Sequence, residues 1–205
     1  MGMDITAMIA DWSWLGDVPE RERLSRLRNA WYADETGLWD HDAPVAEGGW
    51  EWPKGPNGAF FALYEFRHTL GSYKPHFWAT HDWERVRDHA DPLVRTGLDA
   101  FLLGLIWDGM DGESGETDRD FFSGDPEVSY GLLVARSPDG VRELAATWEG
   151  VRPRLDGLRE AFTMYSAVPD GRGGDFDAFA LLLTEWGHIL TEAAGRGWGV
   201  VGLSE

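Results

Sequence analysis

A chain of 205 residues, 43% of them hydrophobic, suits a single domain with a sizeable core. Its 36 acidic and 18 basic side chains give a formal net charge of −18, which repels phosphate backbones and anionic membranes and favours a basic protein partner over nucleic acid. The absence of cysteine excludes disulfides, thiolate metal sites and cysteine nucleophiles and fits a cytoplasmic protein, and no apolar run approaches the ~20 residues of a membrane span.

Met1–Asp4 lacks the basic and apolar regions of a secretion signal. Asp4–Ala10 alternates weakly and predicts a first strand. Asp17 and Glu20 have capping-box spacing, with Pro19 in the first turn of a helix over Val18–Tyr32. Leu24, Leu27 and Trp31 share one side of that helix. Arg21, Arg23, Arg26 and Arg28 make its remainder the basic patch of an acidic chain, read as a solvated face pairing with nearby acids. Ala33–Gly58 is rich in glycine, proline and tryptophan, and is predicted to be a long loop pinned down by Trp39, Trp50 and Trp52. Ala59–Leu70 fits helical and extended patterns alike; Asn57 as a cap favours helix.

Pro75 is read as a chain break. A short helix over His81–His89 follows, then a longer one over Asp91–Leu103, capped by Asp91 with Pro92 at the first helical position. Gly109–Pro126 reads as a mobile acidic loop, and Val128–Ala135 as a strand. Ser137-Pro138 opens a helix through Trp148, with a further helix over Pro153–Met164. The chain closes on a long helix from Asp175, its N-cap. There Phe176, Phe179, Leu183, Trp186, Leu190 and Ala193 recur at steps of three and four and share one face. Gly195 or Gly197 ends it. Trp198–Leu203 reads as a strand, apolar enough to require pairing inside a sheet. The fold class is therefore α+β: one domain, helices packed on a small mixed sheet that includes the C-terminal strand.

Two segments, SYGLLVARSPDGVRELAATWEGVRPRLDGLREAF and FALLLTEWGHILTEAAGRGWGVVGL, together resemble the YfbM-like family of small bacterial proteins. The shared order is a Tyr-Gly-containing strand, a Pro-x-x-Val helix start at Pro138 and Val141, a second helix with Leu158-Arg159, and a last helix ending in Ala193-Ala194 before an apolar strand. The resemblance covers roughly the last 80 residues by this element-by-element matching. It implies an α+β fold and a cytosolic bacterial protein, and it implies no activity. The Trp-rich part before residue 90 reads as an elaboration of that unit.

Candidate chemistry is sparse. His68, His76, His81 and His89 fall within one region, but without the His-Glu-x-x-His spacing that sets two metal ligands one helical turn apart. The acidic stretch 108–125 misses the EF-hand register. Nucleophile-elbow and nucleotide-binding glycine motifs are absent. The sequence thus assigns no catalytic residue, no metal site and no cofactor. Tryptophans beside carboxylates remain: Asp11-Trp12, Trp39-Asp40, Asp82-Trp83 and Trp107-Asp108. Trp39, Asp40, Trp50, Trp52, Trp107 and Asp108 are the candidate binding residues. Two functions fit them. One is an acidic, non-enzymatic protein of the inhibitor or immunity type that recognises a protein partner through aromatic anchors. The alternative is a carbohydrate-binding protein or glycoside hydrolase with a Trp/carboxylate cleft.

Overall fold

Side chains alternate along Ile5–Ala10 (β1), the middle strand of the fold: Ile5, Ala7 and Ile9 join one apolar cluster, while Met8 and Ala10 join another. Both faces of the sheet are thus buried. The computed structural model describes residues 5–32, 49–53, 60–69, 72–110, 118–126, 128–166 and 174–204. Five strands pair in the order β2 (Trp50–Glu51), β3 (Phe61–Tyr64), β1, β5 (Gly199–Ser204), β4 (Leu132–Arg136). Every pairing is antiparallel, so the sheet is not the mixed one the sequence predicts.

One face carries α3 (Lys74–Val86), α4 (Pro92–Leu103), α6 (Pro138–Val151), α7 (Arg159–Ser166) and α8 (Phe176–Arg196). The other is covered by α1 (Trp12–Gly16), α2 (Arg23–Tyr32) and Phe122. The closing helix is as its periodicity requires. Asp175 accepts from the N–H groups of Asp177 and Ala178, Gly197 closes it at φ 69°, and Leu183, Trp186 and Leu190 are fully buried. The chain then enters β5, held between β1 and β4. Asp91 and Ser137 cap α4 and α6 as expected.

Several local expectations give way. In place of the helix favoured for Ala59–Leu70, Phe61–Tyr64 form strand β3, buried on both sides between β1 and β2; a continuous apolar run does not distinguish a doubly covered strand from a buried helix. Pro75 starts α3 instead of breaking the chain, because a first-turn proline forfeits no helical hydrogen bond. The helix therefore begins well before His81. Val128–Gly131 is a single helical turn (α5), and the strand begins only at Leu132. Asp11 caps α1, while Asp17 closes that helix instead of opening the next. The arginine patch engages more than acids. Arg23 donates to the Phe121 carbonyl at 2.6 Å and lies 4.0 Å over its ring, and Arg26 lies 5.7 Å over Trp14. Phe121 and Phe122, in the segment read as a mobile loop, pack against Trp12.

Candidate functional site

Two helices carry the same pattern of wall residues. On α3 it is Pro75, Trp78, Ala79 and Asp82; on α8, counting its cap, it is Asp175, Ala178, Phe179 and Leu182. Steps of three, one and three keep each set on one helix face. Together with His68 they line a cleft of about 410 Å³. Seven residues of helix span about 10 Å, which sets its length. Small side chains at Ala79 and Ala178 hold it open, and Phe179 and Leu182 make its floor apolar.

The polar groups collect at the two ends. At one end, Asp82 meets Asp175. A Cβ built on Gly174 would stand 2.7 Å from the Asp82 carboxylate, so a side chain there would push that carboxylate aside as the chain enters α8. Burial is the largest influence on Asp82 and pushes its pKa up; His81 and Arg85 pull it down, Asp175 pushes it up, and the net direction is upward. A half-buried carboxylate facing another is held in its charged form at a cost that a cation would relieve. At the other end, His68 Nδ1 stands 3.4 Å from Glu185 Oε2. Glu185 is buried, and its other oxygen accepts from the Arg67 N–H at 3.0 Å and from the Tyr64 hydroxyl at 3.4 Å. Burial foremost, and then the Glu185 carboxylate, push the Tyr64 phenol up to about 12.

The sequence-chosen residues lie elsewhere. Trp39 and Asp40 fall outside the described residues. Trp50 is buried at the sheet edge and donates from its indole N–H to His188 Nε2 at 2.8 Å. Trp52 is half-buried beside it, ring centroids 5.8 Å apart, with the Arg196 guanidinium 4.2 Å over its face. Trp107 is buried with its N–H on Glu84 Oε1 at 2.9 Å. Asp108 is exposed next to it, and the two together line a second depression with Tyr73, Phe77 and Glu84. Among the described residues no ring contact joins Trp107 to the Trp50–Trp52 pair.

The histidines also disperse. His76 sits among Phe66, Tyr73 and Trp186, His89 lies 2.9 Å from the Tyr165 hydroxyl, and His68 faces Glu185. Among the described residues no three potential ligands converge on a metal position.

Sequence reasoning paired Asp82 with Trp83, its neighbour. Trp83 instead turns into the core and donates to Asp99 at 3.0 Å. The cleft partner of Asp82 is Trp78, one helical turn earlier; recognising Pro75 as a helix start would have placed the two together. No family model, curated protein or solved structure matches the chain.

Proposed function

We propose that this protein is a non-catalytic, acidic binding protein of the inhibitor or immunity type, and that it recognises a basic protein partner. One observation carries this reading: Asp82 and Asp175 converge at one end of an apolar cleft walled by exposed Trp78, in a chain of net charge −18. Aromatic anchors beside carboxylates are how acidic surfaces hold basic ones, and the overall charge accelerates encounter. The carbohydrate alternative draws no such support from Trp50 and Trp107, whose rings are buried with their N–H groups already donated. Placement in the cytoplasm is part of the same reading, supported by the lack of cysteine. Among the described residues no helix is long and apolar enough to cross a membrane. Kinship with the YfbM-like family is likewise a proposal; it rests on the residues quoted for it, of which Tyr130-Gly131 belong to α5 and not to a strand.

The immobilised protein, incubated with lysate at low salt, is expected to retain a basic protein that high salt releases. The purified pair should then form a complex of fixed stoichiometry by calorimetry. Recovery of nothing salt-releasable, or of proteins that form no defined complex, would overturn the reading.

A further inference from the structure

We infer that the cleft between α3 and α8 seats one arginine side chain of the partner, its guanidinium between Asp82 and Asp175 and its stem along the apolar floor. This rests on the partner-binding reading and names the group that the site takes.

Three features select this occupant. The carboxylates sit at one end of a cavity whose wall between them and His68 at the other end is apolar, so the ligand is charged at its tip and apolar along its length; a long basic side chain has that form. Trp78 supplies an indole in the same wall, and a planar guanidinium can stack on an aromatic face while forking onto a carboxylate. An ammonium is more strongly hydrated and loses more on entering a half-buried apolar cleft, so arginine is favoured over lysine. The positive end of α8 opposes a cation there with about half a charge, and the two carboxylates outweigh it. Asp175 spends one oxygen, Oδ1, on the N–H groups of Asp177 and Ala178. Of the chain's own basic side chains, His81 and Arg85 act on Asp82 and pull its pKa down.

The test uses N-acetyl-arginine methylamide as probe, with its lysine and citrulline counterparts, on the full chain. Binding is read from the indole N–H signals by two-dimensional NMR, with the Trp78 signal assigned through Trp78→Phe. The arginine probe should shift the Trp78 signal saturably, the lysine probe more weakly, and neutral citrulline not at all. Asp82→Asn should weaken the arginine probe at least about fivefold, since a charge-assisted pair becomes a neutral one. Asp175→Asn should do so as well while keeping α8 intact, because asparagine caps a helix as well as aspartate. Absence of a saturable Trp78 shift, equal binding of citrulline, or indifference to both substitutions would overturn the inference. If a basic protein still binds Asp82→Asn with unchanged affinity, the arginine seat fails while the partner-binding reading stands. If no basic protein binds at all but the probe does, that reading fails and the seat stands.

Discussion

His76 is a polar side chain placed where only an apolar one is comfortable. It is fully buried among Phe66, Tyr73 and Trp186, and neither ring nitrogen has a hydrogen-bond partner among the described residues. Burial lowers its pKa from 6.5 to about 3. A base depressed in this way binds fewer protons folded than unfolded between those two values. Stability is therefore lost as pH falls through that window, by about 1.4 kcal/mol per pH unit from this residue. His76→Phe should flatten the wild-type slope of unfolding free energy by about that amount between roughly pH 6 and 4, as measured by urea denaturation. At neutral pH it should cost little, since removing a polar group that makes no hydrogen bond is close to neutral. An equal slope in both proteins would show that the imidazole is protonated in the folded state. Nothing in the sequence distinguishes His76 from His81 or His89. Only the packing of Phe66 and Trp186 from other elements removes it from water.

At the scale of elements, α8 is the part most legible beforehand and also the part whose detailed fit was hidden. Its cap, its buried stripe and its terminating glycine follow from spacing and residue type. Its crossing with α6 depends on Gly187, where a Cβ would collide with the Trp148 indole. The sequence shows a glycine inside a helix, which by itself weakens the helix relative to alanine. The structure shows what the missing side chain admits. Gly187→Ala should therefore destabilise the protein by about 1–3 kcal/mol through overpacking, although alanine is the better helix former. Gly195→Ala, on the same helix with nothing near its Cβ, is the control and should be neutral or mildly stabilising. Comparison of the two urea midpoints decides whether packing or propensity governs this position. Strand β3 illustrates the reverse case. Phe61–Tyr64 is apolar at every position because Phe61 and Leu63 face one core cluster while Ala62 and Tyr64 face the other. That arrangement erases the alternation by which a strand is recognised.

For the molecule as a whole, charge is the dominant global property. With 36 acidic and 18 basic side chains, like charges repel across the surface, and the folded state concentrates them. Many of the ion pairs that are present, such as Arg142 with Asp139 and Arg152 with Glu149, are exposed and add little. Raising NaCl from about 0.02 to 0.5 M shortens the screening distance several-fold and should raise the thermal midpoint. A fall would mean that attractive pairs outweigh the repulsion. The same salt should weaken the proposed complex, so stability of the free protein and affinity for its partner are expected to move in opposite directions.

The class of fold, the closing helix with its cap and stop, and the need to pair the final strand are all legible in the residues alone. Each of these follows from periodicity, cap chemistry and the cost of an exposed apolar strand, which are local properties. The antiparallel sense of the sheet, the strand at Phe61–Tyr64, the burial of His76 and the meeting of Asp82 with Asp175 were decided only by tertiary structure. They join segments up to about two hundred residues apart in the chain, and such contacts are set by how the helices pack on the sheet, which no single stretch encodes.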